Sequence, residues 1–152
     1  MTAKHWLSRA RWLTGQIKDK ERQKQSVYDT LTNTTQKYDV DGTQSTKDPH
    51  KYDRLAEYDD IIDQKKKEYI EAMLEITKAI DMLHDDRQRR VLTLYYTVTD
   101  QTTEKPLTFE QVAVELHYSY KQTRRIHAKG LCAIEKMLNG KDVLESPISY
   151  VI

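Results

Sequence analysis

The sequence predicts an all-α protein, with a long antiparallel, coiled-coil-like helical hairpin followed by a C-terminal three-helix domain of the helix-turn-helix type. Its 152 residues include only 4 Gly and 3 Pro, too few for the many tight turns of an all-β chain. The apolar residues recur at spacings of three, four and seven rather than alternating. Charged residues make up 32%, and the mean hydropathy of -0.83 indicates a soluble, helix-rich chain.

The first predicted helix runs from about Thr2 to Lys37. It carries a weak apolar stripe at helical spacing, formed by Trp6, Ala10, Leu13, Ile17, Val27 and Leu31. Gly42 and the Thr/Asp/Ser-rich residues 39–49 supply the expected reversal of the chain.

The second predicted helix extends from Asp53 to about Leu83, a stretch without Gly or Pro. An apolar residue recurs there every seven positions, at Leu55, Ile62, Tyr69, Ile76 and Leu83. Such a heptad pattern requires a partner helix. The first helix can pair with it within the chain, and the pattern leaves open whether the outer side of this hairpin also forms a homodimer.

The helix predicted over Arg87–Tyr96 begins the C-terminal domain, with Asp85 or Asp86 as its N-cap and Val91, Leu92 and Tyr95 facing inward. Because the position of Asp85 and Asp86 before this helix is explained by capping, we do not interpret His84–Asp86 as a metal site. The residues that follow, 97–106, form a long polar insertion.

A short helix is predicted from Phe109 to Leu116. Thr108 is a favoured N-cap residue, and Glu110 and Gln111 follow in the first turn. The chain then turns at His117-Tyr118, where we expect Tyr118 to pack against the domain.

The next helix is the candidate recognition helix, with Ser119 as its N-cap. Its predicted inward stripe consists of Thr123, Ile126, Gly130, Leu131 and Ile134. The outward face carries residue types that pair with base edges and phosphates, which places the candidate DNA-binding residues at Ser119, Tyr120, Lys121, Gln122, Arg124, Arg125 and Lys129. The best candidates for base contacts are Lys121, Gln122 and Arg124. Arg125 and Lys129 are the candidates for phosphate contacts, and His127 either adds a pH-sensitive phosphate contact or packs between helices.

Residues 118–126, followed by Gly130-Leu131, resemble the second helix of the fourth region of bacterial sigma factors, whose pattern is roughly S-x-x-x-V-R-x-I-x-x-x-A-L. Residues 87–96 resemble the helix that begins that domain. Over nearly its full length the chain is similar to small phage and prophage proteins that join a helical N-terminal part to such a module. The stretches that fit are the MTAK start, residues 48–52 and residues 135–138. The resemblance implies double-stranded DNA and host RNA polymerase as partners and, for some relatives, late-gene regulation.

Three residues depart from the sigma pattern. His117 stands where glycine is frequent, Thr123 where valine is usual, and Gly130 where alanine is usual. These departures predict looser packing than in a typical sigma domain.

The net charge of +1 conceals an uneven distribution: residues 1–38 carry +5, residues 39–86 carry -7, and residues 87–152 carry +3. Between residues 117 and 136 there are five Lys or Arg and one acidic residue. A short basic helix can therefore meet a phosphate backbone while the acidic middle stays in solvent or pairs with the basic N-terminal helix.

The motifs of common enzymes and metal sites are absent: there is no phosphate-binding glycine loop, nucleophile elbow or paired-histidine motif. We therefore expect neither catalysis nor a cofactor. The single cysteine, Cys132, fits a reducing compartment and is expected to be buried in the last helix. No apolar run is long enough for a signal peptide or a membrane span, so a cytoplasmic location is expected, in the host if the chain is phage-encoded.

The sequence thus predicts three parts: residues 1–84 for assembly or partner binding, residues 85–140 for DNA binding, and a tail at 141–152. The favoured hypothesis is a sequence-specific, phage-type transcription regulator. Two alternatives stay open, an interaction protein that binds polymerase or a phage factor without contacting DNA itself, and a terminase-like DNA-packaging adaptor.

Overall fold

The computed structural model describes residues 2–40, 50 and 52–148, and side chains within 2–33, 50 and 52–140. The described residues form six α-helices and no strand, which confirms the all-α prediction. The helices are α1 (Ala3–Leu7), α2 (Arg9–Val40), α3 (Asp53–Asp81), α4 (Asp86–Thr97), α5 (Phe109–Leu116) and α6 (Tyr120–Ile148). The helix α6 therefore continues into the residues that were expected to form a tail.

The described residues fall into two compact units. One unit comprises the described residues of Met1–Arg11 and Glu71–Ile152, and the other comprises those of Trp12–Ile70. The long helices α2 and α3 each contribute to both units, because the boundaries at residues 11/12 and 70/71 lie inside them.

The N-terminal helix is interrupted at Ser8, where the sequence predicted one continuous helix. The Ser8 N–H donates to the carbonyl oxygens of Lys4 and His5, and its hydroxyl donates to the Lys4 carbonyl at 2.7 Å. A short polar side chain that bonds to the backbone in this way competes with continued helix. Thr2 caps the resulting single turn by accepting a hydrogen bond from the His5 N–H.

Side-chain contacts show that α2 and α3 run antiparallel in the second unit. Lys24 forms an ion pair with Asp59 at 2.5 Å, and Lys65 donates to Gln16 at 2.8 Å. Residue numbers rise along one helix as they fall along the other. The predicted reversal at residues 39–49, with Gly42, lies outside the described residues. Coiled-coil packing and dimerisation of this hairpin stay predictions.

The predicted heptad positions are directed inward, four of them within α3 and Leu83 two residues beyond its end. Leu55, Ile62, Ile76 and Leu83 are buried, and Tyr69 is half-buried. The stripe on the first helix is less well covered: Ala10 is buried, whereas Leu13, Ile17, Val27 and Leu31 are only partly so. This difference agrees with the weaker pattern on the first helix.

The C-terminal helices α4, α5 and α6 pack around one apolar core. The core residues are Val91, Leu107, Val112, Leu116 and Ile126. Leu94, Tyr95, Val98 and Tyr118 cover it as partly buried neighbours. The predicted packing of Tyr118 at the turn is thus confirmed, and this core fixes α6 against the two preceding helices.

Candidate nucleic-acid interface

The connection between α4 and α5 is tied to the start of α5. Asp100 accepts hydrogen bonds from the Thr102 N–H and the Gln111 side-chain amide, both at 2.8 Å. These bonds stabilise the carboxylate, so that the pKa of Asp100 is lowered. An isolated antiparallel bridge joins Thr99 to Pro106. The polar insertion is therefore a closed loop, and it is bonded to α5 through Gln111.

The helix α5 begins and ends where the sequence predicts. Thr108 caps it by accepting from the Gln111 N–H, and the Gln111 side chain accepts from the Thr108 N–H, which completes a capping box. At its other end, His117 adopts a left-handed backbone with φ 62°. The N–H groups of His117 and Tyr118 donate to the carbonyl groups of Val114 and Ala113, the two bonds of a Schellman motif. A residue with a Cβ therefore occupies a position that favours glycine.

The start of α6 is fixed by Ser119. Its hydroxyl accepts from the Gln122 N–H at 3.0 Å, and its carbonyl accepts from the Thr123 hydroxyl at 2.9 Å. Ser119 was predicted both to cap this helix and to contact DNA. The structure shows the capping bond, which engages the hydroxyl as an acceptor.

The inward stripe of α6 is confirmed: Thr123, Ile126, Gly130 and Ile134 are buried and Leu131 is partly buried. The opposite side is exposed and basic. All seven candidate contact residues lie on exposed positions, namely Ser119, Tyr120, Lys121, Gln122, Arg124, Arg125 and Lys129. The structure thus brings them together within the first three turns of one helix, where a recognition helix would present them to a groove.

Packing at Gly130 is closer than the sequence suggested. A Cβ atom added to Gly130 would lie 3.0 Å from Cδ1 of Leu92 on α4, and Leu92 is fully buried. The expectation of loose packing at this position is therefore wrong. Glycine instead allows α6 to approach Leu92 on α4 closely.

An aromatic layer joins α4, α5 and α6 beside this face. The rings of Tyr95 and Phe109 are stacked, with centroids 4.3 Å apart and planes 7° from parallel. Tyr120 meets Phe109 nearly edge-on, at 6.4 Å and 87°. The Arg124 guanidinium carbon lies 5.8 Å from the centroids of both Phe109 and Tyr120, within the range of a cation–π interaction.

His127 lies beneath this layer and is not a phosphate contact. The side chain is buried, and its Nε2 is 2.8 Å from the Tyr96 hydroxyl. Burial, followed by the charges of Lys4, Arg124 and Arg11, lowers the pKa of His127 to about 4. The imidazole is therefore neutral at pH 7, in agreement with the helix-packing alternative.

The N-terminal residues are part of the same unit, which sequence reasoning missed. The described side chains of Ala3, Leu7 and Ala10 are buried, and α1 packs against α6. The guanidinium of Arg11 lies 4.9 Å and 5.2 Å from the ring centroids of Tyr95 and Tyr96. A signal was available in Leu7 and Ala10, which lie three residues apart, but Ala10 was assigned to the hairpin stripe and Leu7 was left out.

Cys132 is exposed, so its predicted burial is wrong. Successive residues on a helix differ by about 100° in direction, and Cys132 therefore does not share the inward face of its neighbour Leu131. Within the described ranges, no helix is long and apolar enough to cross a bilayer.

The three helices, the tight turn and the exposed basic face define a helix-turn-helix of the DNA-binding class. Residues 85–136, about a third of the chain, match the family model described as "Sigma-70, region 4". This part of the chain is therefore a sigma region-four-like helix-turn-helix with a DNA-binding role related to transcription. No curated protein and no solved structure gives a significant match to the chain.

Proposed function

We propose that this protein is a phage-type transcription regulator that binds specific duplex DNA through α6 and contacts RNA polymerase in the cytoplasm of its host. The observation that carries the proposal is the position of the exposed basic face of α6, which lies within the residues that match sigma-70 region 4. The phage-type assignment and late-gene activation rest on the resemblance of the whole chain to small phage and prophage proteins.

The charge of this face supports contact with DNA. Lys121, Arg125 and Lys129 are exposed and form no ion pair with any described residue. Positive side chains without an acidic partner can neutralise phosphates and release counterions, which makes binding strongly dependent on salt. Lys121 and Arg125 lie one helical turn apart, so both can face the same groove.

The roles within the face follow from residue chemistry. Arginine and lysine pair with guanine edges and glutamine with adenine edges, so Lys121, Gln122 and Arg124 are proposed to contact bases. Arg125 and Lys129 are proposed to contact phosphates. Loss of a base contact should cost about 1–3 kcal/mol at its own base pair, whereas loss of a phosphate contact should weaken binding to all sequences and lower the salt slope by about one.

The test is selection of bound duplexes from a random library by the purified full chain, followed by affinity measurements from 50 to 200 mM salt. The wild type should enrich one sequence, and Arg124→Ala/Arg125→Ala should enrich none while remaining folded by circular dichroism. Lys66→Ala/Lys67→Ala removes the same charge from exposed positions on α3 and serves as the control. A folded wild type that enriches no sequence would refute DNA recognition and direct the next experiment to polymerase binding.

A further inference from the structure

We propose that Phe109 and Tyr120 are positioning residues that hold the Arg124 guanidinium in the direction needed for a base contact. This inference rests on the proposed function and adds a specificity role for α5, which carries none of the candidate contact residues. It concerns how Arg124 is held rather than whether α6 binds DNA.

The geometry around Arg124 is a corner formed by two rings. Phe109 and Tyr120 are nearly perpendicular, and the guanidinium carbon is 5.8 Å from each centroid. An arginine within about 6 Å of an aromatic ring is attracted by the negative charge of the ring face. Two rings from different helices therefore restrict the guanidinium in two directions.

The first ring is itself held rigidly. Phe109 stacks on Tyr95 at 4.3 Å and meets the buried His127 edge-on at 4.8 Å. Since the α5 backbone is fixed by its capping box, Phe109 has little freedom to move with Arg124. The guanidinium is thus held by a ring that is itself packed against the core of the domain.

The second ring lies at the surface. Tyr120 is 46% exposed in the first turn of α6. Its contacts with Phe109 and Arg124 give it a role as the outer wall of the corner.

The hydrogen-bonding groups of Arg124 remain available. Among the described residues, none forms an ion pair or a side-chain hydrogen bond with this exposed arginine. Ring faces attract the cation without using its N–H donors, which a bidentate contact to guanine requires. Holding the side chain before binding also reduces the rotamer entropy lost on contact, because a free arginine has many rotamers.

Leucine at either ring position should therefore weaken discrimination at one base pair. The free energy typical of an exposed cation–π interaction corresponds to a loss of discrimination of about two- to fivefold for each ring. The salt slope should stay unchanged, because the charge of Arg124 is retained.

The experiment uses the duplex selected by the wild type and its single-base variants. Discrimination at the base pair that Arg124→Ala no longer distinguishes is measured for Phe109→Leu, Tyr120→Leu and Tyr120→Phe. We expect the two leucine variants to lose two- to fivefold at that base pair and not at the others, and Tyr120→Phe, which keeps the ring, to retain discrimination at that base pair whatever its overall affinity. Phe109→Leu/Arg124→Ala should discriminate no worse than Arg124→Ala alone. Val114→Ala, at a position on α5 that is 76% exposed, is the control.

Wild-type discrimination in both leucine variants would overturn the proposal, as would losses spread evenly over all positions. If Phe109→Leu does not fold, the exposed Tyr120 variants decide the question. If the wild type selects no duplex, the proposed function fails. The positioning is then judged in the free protein by the NMR shift of the Arg124 Nε–Hε group, which ring currents should displace in the wild type and displace less in Tyr120→Leu, where only the Phe109 ring remains. An undisplaced wild-type signal would overturn it.

Discussion

The Tyr96 hydroxyl oxygen lies 2.8 Å from Nε2 of His127, and both side chains are buried between α4 and α6. Burial raises the pKa of Tyr96 and lowers that of His127 to about 4. At pH 7 a neutral phenol and a neutral imidazole therefore share one hydrogen bond.

This pair predicts a loss of stability in mild acid. The folded-state pKa of His127, about 4, is below the unfolded value of 6.5. The contribution of the neutral imidazole to the free energy of unfolding is therefore complete above pH 6.5 and declines as the pH falls towards 4. Between pH 7 and pH 4.5 the wild type should lose about 2–3 kcal/mol more free energy of unfolding than His127→Gln, which has no titrating group there. Urea titrations at the two pH values test this, and parallel losses in the two proteins would contradict it.

The left-handed backbone at His117 predicts a stabilising substitution. His117→Gly removes the Cβ that is strained at φ 62°, and should raise the free energy of unfolding by about 1 kcal/mol. His117→Ala keeps a Cβ and serves as the matched control, for which no such gain is expected. Denaturant unfolding at pH 7 measures both, and an equal effect of the two substitutions would exclude backbone strain as the cause.

The three described helical glycines predict opposite responses to the same substitution. A Cβ added at Gly15 or Gly140 meets no atom within 4 Å, so alanine should stabilise by up to about 1 kcal/mol through helix propensity. At Gly130 the added Cβ would press on the fully buried Leu92, and overpacking typically costs about 1–3 kcal/mol. The free energy of unfolding of Gly130→Ala, measured by thermal or urea unfolding, should therefore be at least about 1 kcal/mol lower than that of Gly15→Ala or Gly140→Ala. Equal gains at all three sites would show that Leu92 can move aside.

The buried N-terminal turn predicts that stability of the DNA-binding unit depends on residue 7. Leu7 is fully buried, and Leu7→Ala should cost about 2–5 kcal/mol. Leu74→Ala, the same change in the same unit at a position 54% exposed, should cost far less. Hydrogen exchange of the α6 amides is the readout. Protection of α6 that is unchanged by Leu7→Ala would mean that α1 does not support this helix.

Local features of the sequence were sufficient to predict the elements around the candidate interface. Thr108 and Ser119 cap the helices that follow them because hydroxyl capping depends on residues only three positions away. The inward stripe containing Thr123 and Ile126 follows from the helical repeat alone. The candidate contact residues were found for the same reason, since they occupy the remaining face of α6, although their roles on DNA stay predictions.

Features that depend on contacts distant in the chain could not be predicted in this way. Leu7 is buried against residues that are distant in the sequence, and Tyr96 bonds to His127, which lies 31 residues away. No local sequence pattern links these positions. The corner around Arg124 likewise requires the relative position of α5 and α6, which pack around a common core. The break at Ser8 reflects competition between a side chain and the helix, for which a helical repeat gives no signal.

The DNA-binding unit is assembled from two pieces of chain that are separated in sequence by residues 12–70, whose described part forms the other unit. During synthesis the N-terminal piece leaves the ribosome long before α4, α5 and α6 are made. Leu7 therefore cannot be buried in this unit until these helices have been synthesised. Contacts over such a separation raise contact order, which slows folding. The intervening residues can fold first and shorten the loop that remains to be closed. Competence to bind DNA would then be acquired late, after most of the chain has been made.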